Sequence, residues 1–292
     1  MLVLLNFKFA LRFLRQRVFF LVKGLKPKIS SQFKIVLILC LFVFTTSFRP
    51  GVARADQVSV RHLEGVTHGF LILRTLDGKA IADGDLRQEA KAGRVTDHLT
   101  FRFKDGSLFK ETTIFTEHGQ FRLIYDQMIQ KGPSFKHPVE SSIDAVTGRV
   151  TVKSDEKGKE KIVSEKLALP ADIYNGLAFT VLKNISPNAQ QTRISMVAGS
   201  PKPRIVQVNI SRQGAKTFAA GEIKHEATDY VLKVEIGGMA GVAAKLTGKQ
   251  PPDTHVWILD GEAPAFLASE GPFYEDGPIW RIELAAPSVS DN

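Results

Sequence analysis

The sequence predicts a mainly β fold: a curved antiparallel sheet, half-barrel or barrel, with one amphipathic helix packed on or across it. Three observations predict it. Apolar and polar residues alternate with period two along most of the chain after residue 56, Asp-Gly pairs punctuate that alternation, and a single stretch switches to a four-residue apolar period. Alternation sets one face of a strand on a core and the other in water. Asp-Gly suits the tight turn of a hairpin, and one-sided strands of this kind are mainly antiparallel.

Taken in order, Asp77-Gly78 marks the first hairpin. Leu99, Phe101 and Phe103 alternate with Thr100, Arg102 and Lys104, and Asp105-Gly106 then turns the chain. Residues 107–117 and 120–130 read as further strands divided by His118-Gly119. Val150 and Val152 follow a turn at Thr147-Gly148, and the charged stretch Lys153–Lys161 reads as a solvated hairpin tip. Val206, Val208 and Ile210 alternate, as do Leu232, Val234 and Ile236, and Trp280, Ile282 and Leu284 close the chain in the same way. Pro170 opens the exception: Ile173, Leu177 and Val181 recur every four residues, so a helix is expected from Pro170 to about Asn184. Proline is tolerated in a first helical turn because its missing N–H would be unpaired there. Gly176 inside that helix would cost about 1 kcal/mol against Ala, so the stripe must pack on the sheet. A second, weaker helix is expected within 238–246.

Residues 1–55 read as a basic N-terminal region and a cleavable export signal, and 56–292 as a single large mature β domain. Lys34, the apolar run Ile35–Phe44, and small residues at Ala53 and Ala55 before Asp56 have the order of a signal and its cleavage site. Met1–Leu21 reads as a start placed too early, a long n-region, or a basic helix lying on an anionic membrane face, which would be the only membrane contact. The apolar run is shorter than the ~20 residues that span a bilayer. The leader also explains the charge. It holds ten of the 39 Lys and Arg and none of the 30 Asp and Glu, so the remainder carries 29 bases against 30 acids, a formal −1 instead of the whole chain's +9. A chain of that balance has no global field for phosphates, so no nucleic-acid partner is expected. The single cysteine, Cys40, lies in the leader, which leaves the mature part without thiol chemistry.

No catalytic or metal-binding motif is legible. The seven histidines form no H-E-x-x-H, Gly132-Pro133-Ser134 suits a turn better than a nucleophile elbow, and Gly248-Lys249 is followed by Gln250 where a phosphate loop needs Ser or Thr. Gly237-Gly238 with Gly241 lacks dinucleotide spacing, and Asp260-Gly261-Glu262 reads as a turn. No metal and no cofactor are expected. The aromatic residues of the C-terminal third are more suggestive. Trp257, Phe266, Phe273 and Trp280, with Ile173, Leu177 and Val181 of the helix, are the candidate lining of an apolar groove on the concave face. Core packing is the competing account of the same residues.

Several blocks carry a family likeness: Lys131-Gly132-Pro133-Ser134-Phe135; Leu169-Pro170-Ala171-Asp172 with Asn175-Gly176 and Lys183-Asn184; Gly248-Lys249-Gln250-Pro251-Pro252-Asp253; and Gly261-Glu262-Ala263-Pro264 with Pro278-Ile279-Trp280. Together they resemble a family of uncharacterised exported bacterial proteins, described as a domain of unknown function, over most of residues 65–287. The resemblance carries no activity and transfers no site. More loosely, a curved sheet with a helical lid is similar to periplasmic lipoprotein-carrier and lipocalin-like architectures, an analogy of fold alone.

The expectation from sequence is therefore a periplasmic or secreted, non-enzymatic binding or carrier module for an apolar small molecule or lipid. The alternatives are a structural or interaction protein that meets an envelope protein, and a hydrolase whose site would involve His225, Asp229, Asp260 and Glu262.

Overall fold

A computed structural model describes residues 56–285, apart from 157, 200–201, 221–222 and 236–249. The export signal expected in residues 1–55, the second helix expected within 238–246, and the glycine-rich and Gly248-Lys249 stretches lie outside the described residues. Among the described residues, fourteen strands form one antiparallel sheet: β1 (Thr67–Thr75), β2 (Ala80–Lys91), β3 (Arg94–Phe103), β4 (Leu108–His118), β5 (Gln120–Lys131), β6 (Val139–Asp144), β7 (Arg149–Glu156), β8 (Lys159–Lys166), β9 (Gln191–Ala198), β10 (Arg204–Ala220), β11 (Ile223–Glu235), β12 (Thr254–Leu259), β13 (Ala265–Pro272) and β14 (Ile279–Leu284).

Strand order is β8-β7-β6-β5-β4-β3-β2-β1-β14-β13-β12-β11-β10-β9. Every pair is a sequence neighbour except β1 and β14, which join the first and last strands in the middle of the sheet. The expected hairpins are present. Gly78 and Gly106 adopt the positive φ their turns require, and Gly78 N–H donates to Thr75 O while Gly106 N–H donates to Phe103 O. The charged stretch at 153–161 is the β7–β8 hairpin, as expected.

The sheet curls but does not close, because β8 and β9 end it on opposite sides. The chain leaves at β8 and re-enters at β9, and the segment between them fills the concave face. That segment carries α1 (Ala178–Asn184). Ile173, Tyr174, Leu177, Val181, Leu182 and Ile185 are all buried in one cluster, with Val95, Phe115, Phe121 and Val150 from one arm of the sheet and Ile194, Val208, Tyr230 and Val256 from the other. A second cluster, around Leu73, Phe101, Phe103, Phe109, Phe135 and Ile282, occupies a separate part of the same face.

The helix is shorter than the apolar stripe predicts. Pro170 does not begin it. Tyr174 N–H donates to Ser195 O at 3.0 Å and Ser195 N–H to Asp172 O at 3.2 Å, so residues 172–174 run as an extra edge along β9. The Asn175 side chain extends this pairing, accepting from Val197 N–H at 2.7 Å and donating to Val197 O at 3.0 Å. Gly176 then turns the chain at φ +68°, a conformation no α-helix contains. Covering an open sheet edge satisfies backbone groups that a first helical turn would leave unpaired. The four-residue spacing of Ile173, Leu177 and Val181 thus reflects common burial, not continuous helix.

The N-terminal segment completes the seam. Asp56 N–H donates to Arg193 O, Val60 N–H to Gly119 O, and Arg61 N–H and His62 N–H both donate to Asn184 Oδ1, at 2.7 and 2.8 Å. Lys183 pairs with Glu64 at 2.7 Å, and Glu64 N–H donates to Glu117 Oε2 at 2.8 Å. Residues 56–64 therefore strap β9, α1 and the β4–β5 hairpin together. Among the described residues no helix is long and apolar enough to cross a membrane.

Candidate functional site

Between the two apolar clusters the concave face is polar. Strand register places Gln88, Asp97, Thr113 and Asp126 in one row across β2, β3, β4 and β5. All four side chains are buried. Thr113 Oγ1 donates to Asp126 Oδ1 at 2.9 Å, and Gly176 presses on this pair so closely that a Cβ there would lie 2.0 Å from Thr113 Oγ1. Asp97 Oδ1 has no hydrogen-bond partner. Buried polar groups are the informative exceptions to an apolar interior.

Burial governs the acidity of this row. Asp97 is pushed up to about 6, first by burial and then by the nearby charges of Glu64 and Glu117, against a hydrogen bond from Gln88 and the charge of Lys183. Burial also raises Asp126 to about 6, against its bond from Thr113. Glu111 stands well above the usual carboxylate range, through burial first and then the charges of Asp126 and Asp97. Desolvation disfavours the anion, so burial favours the protonated form of Glu111.

Glu111 belongs to the next row, Leu86–Leu99–Glu111–Met128–Ser141 across β2 to β6. These side chains point inward but are only half-buried. Glu111 retains some accessible surface in this row. Phe266 packs against both clusters and stacks on Phe179 of α1 with centroids 4.4 Å apart. Phe273 contacts Phe101, Phe109 and Trp280 at centroid distances of 5.4, 4.9 and 5.4 Å. The result is a half-buried apolar strip of Leu86, Leu99, Met128, Phe266, Phe273 and Trp280, with the Glu111 carboxyl beside it.

The residues expected to line a groove divide three ways. Phe266, Phe273 and Trp280 belong to the strip. Ile173, Leu177 and Val181 are fully buried in the first cluster and present no surface to a ligand. Trp257 lies on the opposite face of the sheet. Its neighbours Val256 and Ile258 point inward, while Trp257 packs with Ala227, Ala268 and Phe218, under Lys216 Nζ at 5.1 Å from the ring. Strand alternation separates it from the other three aromatics. Sequence reasoning missed Leu86, Asp97, Glu111, Asp126 and Met128. The available signal was an acid in the apolar phase: Asp97 precedes Leu99, Phe101 and Phe103, and Glu111 and Glu117 alternate in step with Phe109 and Phe115.

Asp229 and Asp260, two of the residues expected in a hydrolase site, engage different partners. Asp229 pairs with His255 at 3.1 Å, and Asp260 accepts from Thr228 Oγ1 at 2.9 Å. Among the described residues no group of three His, Cys, Asp or Glu side chains converges to hold a metal ion.

No family model matches the chain, and no curated protein matches it. Among solved structures, the chain is similar to a crystal structure described as a beta-barrel-like protein of domain of unknown function DUF1849 from Brucella abortus, at 12% identity and a TM-score of 0.43, over 77% of this chain and 98% of that one.

Proposed function

We propose that this is an exported, non-enzymatic binding or carrier protein that accepts an apolar ligand, such as the acyl chain of a lipid, on the concave strip. The observation that carries the reading is the half-buried strip itself. Six apolar side chains face inward and are only half-buried, beside an acid whose protonated form burial favours. A ligand that covered them would gain about 25 cal/mol per Å² of apolar surface removed from water. In its protonated form, which burial favours, Glu111 would offer a hydrogen bond to an ester or carboxyl group and no charge to desolvate. The leader-like segment 1–55 supports export to the periplasm.

The chain has two tryptophans, so Trp257→Phe leaves Trp280, in the strip, as the sole reporter. Titrating this variant with a long-chain fatty acid should change its emission saturably, and native mass spectrometry of protein purified from its own host should find an apolar molecule bound. An unchanged Trp280 signal together with a ligand-free mass overturns the proposal.

A second reading rests on β8. Among the described residues it pairs only with β7, and it exposes Ile162. An envelope protein that added a strand there would make this chain an interaction module. Cross-linking from residue 162 in cells should then trap a second protein, and products containing this chain alone would defeat that reading.

A further inference from the structure

The outer face of the sheet holds a second feature, on the opposite side from the concave strip and independent of it. Asp85, Arg87, His98, Thr100, Arg102 and Lys110 line a depression of about 310 Å³ on β2, β3 and β4. Register explains why they meet. Thr100 lies between Asp85 and Lys110 in one cross-strand row, with Arg87 and His98 paired in the row to one side and Arg102 in the row to the other. Asp83 lies across from Arg102 without forming an ion pair.

The charges are not balanced within the depression. The Asp85 carboxylate is already engaged, by His68 Nε2 at 2.7 Å and Arg87 Nε at 3.0 Å. The hydrogen bond from His68, more than the charge of Arg87, holds the Asp85 pKa below the usual carboxylate range. Arg102 and Lys110 have no carboxylate partner among the described residues. His98 uses Nδ1 on Thr112 Oγ1 at 3.1 Å, which leaves Nε2 unpartnered. Three cations against one committed carboxylate give the lining a local charge of +2, in a chain whose residues 56–292 sum to −1. On the neighbouring strand β1, Phe70 pairs with Asp85 and is 61% exposed, with its ring centroid 4.6 Å from that of His68.

We propose that this depression is a binding site for a phosphomonoester, and specifically for a phosphorylated sugar. A phosphomonoester carries close to two negative charges at neutral pH, which matches the +2 of the lining. The Arg102 guanidinium and Lys110 ammonium supply charge-assisted donors, and the Thr100 hydroxyl and His98 ring add further ones. The depression, at about 310 Å³, has room for a hexose phosphate. The Phe70 ring suits the apolar face of a sugar.

The test is titration of the purified protein at low salt with glucose 6-phosphate, with glucose as the neutral comparison. Glucose 6-phosphate should bind saturably and glucose should not. Arg102→Ala and Lys110→Ala should each weaken binding about tenfold, the size of one lost charge-assisted bond. Lys166→Ala, on the distant edge strand β8, should leave it unchanged. Vesicles containing phosphatidic acid distinguish the source of the same group: binding to them that Arg102→Ala abolishes assigns the site to a lipid-borne phosphomonoester instead of a free sugar phosphate. The proposal is overturned if neither probe binds at phosphate concentrations up to about 10 mM, or if Lys166→Ala weakens binding as much as Arg102→Ala.

Discussion

Replacing Asp97 by Asn should stabilise the protein at neutral pH relative to its effect in acid. Asp97 is 9% exposed, and one of its carboxylate oxygens has no partner. It holds its proton to about 6, against an ordinary value of 3.8. The sign follows from proton counting. Between 3.8 and 6 the folded chain binds a proton at Asp97 that the unfolded chain has released, so stability falls as pH rises through this window and levels off above it. At about 1.4 kcal/mol per pH unit, the loss is about 3 kcal/mol across the window. Asn carries no such proton and keeps the side-chain shape. The difference in unfolding free energy between Asp97→Asn and wild type should therefore shift in favour of the variant by roughly 2–3 kcal/mol between pH 4 and pH 7.5. Removing the Asp97 charge also relieves Glu111, which acts in the same direction. Contributions from other carboxylates are common to both proteins and cancel. Urea unfolding at four pH values measures the difference directly. A gap constant to within about 0.5 kcal/mol from pH 4 to 7.5 would show that Asp97 is hydrated and that the polar row is not a low-dielectric site.

Three further substitutions test the packing that creates the strip. Gly176→Ala should destabilise by about 2–4 kcal/mol, because its φ is +68° and a Cβ would meet Thr113 and Asp126 at 2.0 and 2.7 Å; a loss under about 0.5 kcal/mol in urea unfolding would mean the 175–177 loop does not rest on this pair. Asn184→Ala removes the acceptor of Arg61 N–H and His62 N–H and the donor to Thr180 O, and should lower stability by about 2–3 kcal/mol while exposing residues 56–64 to rapid amide exchange; protected amides there would contradict the strap. Lys183→Met leaves Glu64 buried without its cation and should destabilise by about 3 kcal/mol at pH 7.5, with partial recovery on adding Glu64→Gln; no recovery in the double variant would mean the loss comes from packing alone.

The sheet was legible in the sequence because its evidence is local. Leu99, Phe101 and Phe103 alternate around polar neighbours, and Asp105-Gly106 supplies a turn of matching chemistry. The row of acids was partly legible: Asp97, Glu111 and Glu117 fall in the apolar phase of their strands, though the pattern gives no sign of what they face. Other features were hidden by breaks in phase. A bulge at Ile124 shifts the inward residues of β5 from Phe121 and Leu123 to Asp126, Met128 and Gln130. A second bulge, at Leu267, puts Phe266 inside and Ala268 outside although they are two residues apart. Each bulge reverses which face a residue takes, and neither has a distinctive residue to mark it.

The chain's own order of residues determined that strands alternate, where most hairpins turn, that basic charge gathers in the first 55 residues, and that Ile173, Leu177 and Val181 are apolar together. Only the tertiary structure decided that β1 meets β14, that residues 172–175 extend β9 instead of starting a helix, that Trp257 faces away from Phe266, Phe273 and Trp280, and that Arg87, Arg102 and Lys110 meet on one outer face. The physical reason is range. Turn chemistry and side-chain alternation act over a few residues, whereas edge pairing, bulge phase and the desolvation of a carboxyl depend on groups brought together from a hundred or more positions away, as Asn184 is to Arg61.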